Sequence, residues 1–355
     1  MIPYGRQSID DADIAAVVEA LRSDRLTQGP RVDEFEAKLA RAVGARHAVA
    51  FSNGTTALHG ACAAARVGPG YRVVTSPLSF VASANCARYV GADVDFADID
   101  PETLNIDLAR VPECDALVAV HYAGLPLDLG RLATRPRVVI EDAAHAIGAQ
   151  TPDGPVGNCA RSDLCCFSFH PVKTITTGEG GAVTTNDDGL AERLRRFRHH
   201  GIRPTPERGG WVYDVEEIAT NGRLTDMQAA LGTSQLRKLV TFVDARNALA
   251  DRYRRLLAEL PVSLPPAAPS GWRHAYHLFA VQVADRRRVF DAMRAAGIGV
   301  QVHYEPIYRF TAYGGDTTRF PATEAATSRL LSLPMYAALS EFEQDQVVDA
   351  LKAVL

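Results

Sequence analysis

Three stretches of the chain carry residue types that could act on a carbonyl compound. The first is Phe167-Ser-Phe-His-Pro-Val-Lys173, followed by Thr174-Ile-Thr-Thr-Gly-Glu-Gly-Gly181. An apolar run over 164–167 leads in and a second over 182–185 leads out. Lys173 is therefore expected on a loop at a strand end, where α/β sheets put their chemistry. A lysine there is either a surface charge or a desolvated amine that forms a Schiff base with a carbonyl cofactor, and this stretch alone favours neither. The second stretch, Arg137-Val-Val-Ile-Glu-Asp142, is a buried strand ending in two acids. A carboxylate at the end of an apolar strand needs a cationic or hydrogen-bonding partner. A protonated pyridine nitrogen would serve, and so would the amides of a following helix that Asp142 capped. The third is Ser52-Asn-Gly-Thr-Thr56, between a strand over 48–51 and a helix over 57–65. Strand, Gly/Thr turn and helix N-terminus together make a phosphate site, although a plain capped helix looks the same and in isolation is the favoured reading. There is no Walker lysine and no GxGxxG, so nucleoside triphosphate and dinucleotide readings are weak.

The elements that position these stretches follow from patterning. Helical spacing over 8–21, with Ser8 as N-cap, is followed by a turn at 27–30 and a helix over 32–43. Strands are expected over 72–76, 94–97 and 116–121, with a helix over 81–87. Phe80, just past a strand end, could cover a planar ligand or fill the core. From 46 to 185 strand and helix alternate, which predicts a largely parallel sheet with helices on both faces. The Arg-rich run over 193–200 reads as a solvated helix face and 201–210 as a loop. Thr225 and Gln228 form a capping box for a helix running on to about residue 260. After the Pro-rich break at 261–269, strands over 277–283 and 299–303 and helices over 286–296, 325–331 and 342–355 make a compact α/β tail. The expected division is a large domain over 1–238 and a small one over 239–355.

At 355 residues the chain can bury a large core, and its net charge of −4 gives no reason to expect nucleic acid or an anionic membrane as partner. No apolar run is long enough to span a bilayer, and the opening Met1-Ile-Pro-Tyr-Gly-Arg6 lacks a secretory apolar segment, so a cytoplasmic location is expected. The six cysteines show no CxxC or metal-ligand spacing; they read as buried free thiols in a reducing compartment, and no metal is expected.

A phosphate turn, a strand-end aspartate and a lysine about thirty residues later together describe a pyridoxal phosphate (PLP) site. The order resembles the type I, aspartate-aminotransferase-like fold: a large domain with a mostly parallel sheet and a smaller C-terminal α/β domain. Ser52-Asn-Gly-Thr55, Glu141-Asp-Ala-Ala-His-Ala146, Ser168-Phe-His-Pro-Val-Lys173, Gly178-Glu-Gly-Gly-Ala182 and Arg223-Leu-Thr-Asp-Met-Gln-Ala-Ala-Leu-Gly232 are similar to the DegT/DnrJ/EryC1/StrS sugar aminotransferases over nearly the whole chain. Within that family, Leu26-Thr-Gln-Gly-Pro30 and Val300-Gln-Val-His-Tyr-Glu-Pro-Ile-Tyr308 most resemble the transaminases of pseudaminic acid biosynthesis. Those aminate a UDP-linked 4-keto-6-deoxy-L-sugar.

The resemblance implies the following roles. Lys173 is the Schiff-base lysine and Asp142 the partner of the pyridinium nitrogen. His145 lies near the ring and its 3-oxygen, and Phe80 covers one ring face. Gly54, Thr55 and Ser168 hold the phosphate, while Thr27, His303 and Tyr304 border the sugar. Asn221 reaches the phosphate of a neighbouring subunit, so the enzyme is a homodimer with shared sites. It also implies ping-pong exchange, in which an amino acid, L-glutamate by resemblance, leaves pyridoxamine phosphate that then aminates the keto-sugar. Lys173 moves the proton, and its pKa is expected to be lowered beside the cofactor. One departure is Gly222, where the family usually has an aromatic; it is expected to loosen the loop and leaves open another nucleotide sugar or an amino-cyclitol ketone. A 3-dehydratase would carry histidine in place of Lys173, and a DNA-binding regulator would need a further domain.

Overall fold

The computed structural model describes every residue except Asp316. Helix α1 (Asp11–Leu21) is capped by Asp10 rather than Ser8. The Asp10 side chain accepts from the Asp13 amide while the Asp13 side chain accepts from the Asp10 amide, and this reciprocal pair fixes the start two residues later than Ser8 would. Helix α2 (Pro30–Val43) opens on Pro30, expected in the preceding turn, because a first-turn residue needs no N–H partner. It closes on Gly44 in the left-handed region.

The main sheet is built from β1 (His47–Phe51), β2 (Arg72–Thr75), β3 (Asp93–Phe96), β4 (Ala116–Val120) and β5 (Val138–Asp142). A short pair, β6 (Gln150–Thr151) and β7 (Gly154–Pro155), stands outside it. Strands β8 (Leu164–Ser168) and β9 (Gly181–Thr185) complete the sheet, in the order β1-β9-β8-β5-β4-β2-β3. Strand β9 runs antiparallel to both neighbours, and the pairs from β8 across to β3 are parallel. The sheet is thus mostly parallel, but the expected alternation with helices holds only at its start. Helix α3 (Gly54–Ala64) follows β1 and α4 (Ala82–Tyr89) follows β2; the next α-helix is α5 (Asp188–Phe197), after β9. Between β3 and β4 the side chains of Asp98, Asp100 and Asp107 accept from nearby backbone amides. Such local bonds, with Pro101 and Pro112, favour turns over a helix.

The sheet is covered on both faces. On one, Ala57, Ala61 and Cys62 of α3 and Cys86 of α4 pack on Val49, Val73, Val118 and Ile140. On the other, Phe35, Leu39 and Val43 of α2 meet Ala48, Cys165, Phe167 and Ala182. Small residues dominate the α3 contact, so that helix lies close to the strands.

The 201–210 loop is partly a hairpin, β10 (Ile202–Pro204) with β11 (Tyr213–Val215). The expected long helix breaks into α6 (Asp226–Leu236) and α7 (Leu239–Leu256). At the break Lys238 forms ion pairs with Asp10 and with the buried Asp13. The Arg-rich run is not simply solvated either: Arg198 pairs with the buried Glu36 and donates to the carbonyl of Ala50 at 3.0 Å.

In the tail, β12 (Phe279–Gln282) pairs with β13 (Leu330–Leu333), part of which was expected to be helical. Helices α8 (Arg286–Ala295), α9 (Pro321–Thr327) and α10 (Glu341–Val354) surround this pair. The strand expected over 299–303 is reduced to one bridge, Gln301 to Ser332. This smaller C-terminal α/β unit has its own core, with Phe279, Val281, Met293, Leu331 and Val347 fully or almost fully buried.

Candidate active site

The phosphate turn forms where β1 hands over to α3. Asn53 caps the helix, its Oδ1 accepting from the Thr56 amide at 2.8 Å. The amides of Gly54 and Thr55, as first-turn donors, have no intrahelical acceptor. Ser168, the last residue of β8, sits against this turn. A Cβ added at Gly54 would lie 2.9 Å from the Ser168 Cβ, so only glycine lets the helix end and the serine hydroxyl come this close. Helix dipole, free amides and hydroxyl converge on one spot, which is what a phosphate dianion requires.

Asp142 ends β5 on the same side of the sheet. No helix begins directly after it for it to cap: residues 144–148 form turns. Its Oδ1 accepts from the Ala144 amide at 3.1 Å and its Oδ2 from the Ser83 hydroxyl at 2.6 Å. Lys173 lies in the β8–β9 connection, its amide bonded to the His170 carbonyl at 2.9 Å. The residue is half-buried and lines the cavity. Burial pushes its pKa down to about 8, with the charge of Asp142 acting the other way. At neutral pH an appreciable fraction is therefore the nucleophilic free amine.

Both groups face a cavity of about 660 Å³. Gly54, Thr55, Phe80, Asp142, His145, Ser168, Lys173, His303 and Tyr304 all line it. Phe80 is 56% exposed, which removes the core reading of that residue. Its ring centroid lies 6.1 Å from that of Tyr304. The Tyr304 hydroxyl and His145 Nε2 are 2.9 Å apart, whereas the buried His145 Nδ1 has no partner among the described residues. Burial is the largest influence holding His145 and His277 well below the usual histidine range and His303 at about 4, so all three are neutral at physiological pH.

Two expected residues stand outside this cavity. Thr27 is bridged to Thr225, and the exposed Asn221 to His199. Gly222 does not loosen its loop. Its carbonyl accepts from the Ser52 amide at 2.8 Å and its amide donates to the Arg198 carbonyl at 2.9 Å. A Cβ there would come within 2.8 Å of Thr56 Cγ2, so the glycine packs directly on the first turn of α3. Ser79, Glu179, His277 and Tyr4 also line the cavity and Ser83 stands behind it. Ser79 lies before α4 and Ser83 in its first turn; no local signal marks the pair, which meets Asp142 only through the sheet. Nothing local marks His277 or Tyr4, which arrive from the two ends of the chain.

The cavity suits PLP on its own terms: an anion cradle, a strand-end carboxylate, a depressed lysine and an unpartnered imidazole nitrogen share one space. Such a cofactor supplies an aldehyde that captures amines and a ring that withdraws electrons from a neighbouring carbanion. Fold and site together define a PLP-dependent aminotransferase of type I architecture.

The DegT/DnrJ/EryC1/StrS aminotransferase family model matches residues 7–352, and the chain belongs to that family. It is 34% identical to the spore coat polysaccharide biosynthesis protein SpsC of Bacillus subtilis, over 100% of this chain and 97% of SpsC. Among solved structures it is similar to Spr1654 of Streptococcus pneumoniae, assigned as a sugar aminotransferase and solved in its PLP form. There the TM-score is 0.92 at 28% identity, covering 99% of this chain and 98% of the other. It is also similar to Helicobacter pylori PseC, an aminotransferase involved in pseudaminic acid biosynthesis, with TM-score 0.90 and 29% identity over 99% and 98% of the two chains. Pyridoxal phosphate is the cofactor of this enzyme class.

Proposed function

We propose that this protein transfers an amino group from an amino acid, L-glutamate by family resemblance, to the keto carbon of a nucleotide-linked 4-keto-6-deoxy sugar. The observation that carries the reading is the meeting of Lys173, Asp142 and the Gly54–Ser168 cradle around one cavity. Lys173 would hold the cofactor through its amine, and the same amine would move the proton at the amino acid's α-carbon. Asp142 would pair with the ring nitrogen; Gly54, Thr55 and Ser168 would hold the phosphate; Phe80 would cover the ring and His145 would stand beside it. His303 and Tyr304, which also line the cavity, border the sugar, with Thr27 outside the cavity. The same reading places Asn221 at the cofactor phosphate of a second copy, and divides the chain into domains over 1–238 and 239–355.

The UDP-linked N-acetylhexosamine of the pseudaminic pathway is one member of this substrate class. A spore coat polysaccharide protein and PseC both align along the whole chain, so the class as a whole is the better-supported reading. The test is to incubate purified protein with glutamate and a panel of UDP- and dTDP-linked 4-keto sugars and amino-cyclitol ketones, and to follow product mass. Replacement of the sugar oxygen by an amine is expected for at least one member. Amination of amino-cyclitol ketones alone would overturn the sugar reading.

A further inference from the structure

Asp142 reaches the cavity as the end of a hydrogen-bonded chain. Its Oδ2 accepts from Ser83 Oγ at 2.6 Å, and Ser83 Oγ lies 2.7 Å from Ser79 Oγ. Ser83 is 0% exposed, in the first turn of α4; Ser79 is on the cavity wall. A carboxylate only accepts, so the single Ser83 proton goes to Asp142. Ser83 Oγ must then accept from Ser79, and the polarity of the chain is set by the charge at its end. A hydroxyl donating to a carboxylate is roughly twice as strong as a neutral pair, so the contact fixes the direction of the carboxylate. The β2–α4 connection and the first turn of α4 thus brace a carboxylate that belongs to β5, with β4 lying between β2 and β5 in the sheet. The other titratable groups around Asp142 are Lys173, Tyr304, Cys86 of α4, and Cys165 and Cys166 of β8. Glu141, its neighbour in β5, turns instead to His121 and Ser162.

We infer that Ser83, backed by Ser79, is a positioning residue that orients the Asp142 carboxylate toward the cofactor's ring nitrogen. This rests on the proposed role of Asp142, and the test separates the two. Wild type, Ser83→Ala, Ser79→Ala, Asp142→Asn and the Asp142→Asn/Ser83→Ala double variant are loaded with PLP. Each is titrated from pH 5 to 10 by absorbance, assayed for kcat and KM, and melted to check folding. Ser83→Ala is expected to shift the chromophore's titration midpoint and lower kcat about tenfold, with the amino-donor KM unchanged. Ser79→Ala should move both in the same direction by less, and it reads out the chain even if Ser83→Ala folds poorly. In the double variant, removal of Ser83 should add nothing to the loss from Asp142→Asn. If Asp142→Asn is crippled while both serine variants keep the wild-type spectrum and rate, the inference fails and the role of Asp142 stands. A slower Ser83→Ala with an unmoved spectrum would also overturn it, leaving Ser83 a packing residue. Wild-type turnover in Asp142→Asn would remove the role of Asp142 and this inference with it.

Discussion

Lys173 sits in a conflict that defines its chemistry. Burial disfavours its ammonium form and the Asp142 charge restores only part of the loss. The unfolded chain keeps that proton to about 10.5, whereas the folded chain releases it near 8. Stability contributed by this group therefore rises with pH across that window, because the unfolded state binds the extra proton. The same shift makes a kinetic prediction. The rate at which apoprotein captures PLP, followed by absorbance, should climb with pH and reach half its plateau near 8. A half-point near 10 would show that the amine is not desolvated. Borohydride should fix the cofactor on Lys173, and Lys173→Ala should show no turnover; a label on another lysine would move the site. Asp142→Asn should keep the fold and some cofactor while losing most turnover, since an amide cannot supply the charge that holds a protonated ring nitrogen.

At the scale of elements, the join between α3 and the 220–225 segment decides how the cradle is held. Gly222 is packed against Thr56 and Phe51 and hydrogen-bonded on both sides. An aromatic at this position would push on the first turn of α3, the element that presents Gly54 and Thr55. Gly222→Tyr is therefore expected to destabilise the protein by about 2 kcal/mol, the usual cost of overpacking. It should also weaken PLP binding. Urea unfolding of the apoprotein and a cofactor titration check the two effects, and a neutral result in both would mean the loop yields freely. A second join is the guanidinium of Arg246 in α7. It is fully buried and donates to the carbonyls of Tyr276 at 3.1 Å and Met335 at 2.9 Å, tying α7 to the segments flanking β12 and β13. Arg246→Ala should cost about 3 kcal/mol by leaving those carbonyls unpaired and a cavity behind, measured by denaturant unfolding.

At the scale of the whole molecule, the proposed dimer makes a prediction that a single-chain site does not. Asn221 lies outside its own chain's cavity, on an exposed segment. If it completes a partner's site, mixing Lys173→Ala chains with Asn221→Ala chains should restore activity above that of either parent. A mixed dimer would place both lesions in one site and leave the other whole. Absence of rescue, with subunit exchange verified by mass, would leave Asn221 as a turn residue and the aminotransferase intact.

Local chemistry was enough to read the parts. The Gly/Thr turn, the acid at a strand end, the lysine between two strands and the capping box at Thr225 each follow from neighbours within a few residues, where backbone geometry and helix-end donors act. The missing helices between β3 and α5, the antiparallel β9 and the pairing of β12 with β13 were not legible, because they depend on partners far away in the chain. The same holds within the site. Ser83 looks like an ordinary small residue of α4 until β5 brings Asp142 to it. His277 and Tyr4 become cavity walls only when distant parts of the chain are brought to the sheet. Gly222, which reads as slack in the loop, is a close contact because Thr56 occupies the space its side chain would need. Residue types and spacing therefore determined which groups could react. Tertiary packing decided which of them meet, which are desolvated and which hydrogen bonds orient them, because burial and distance are set by segments that the local sequence does not contain.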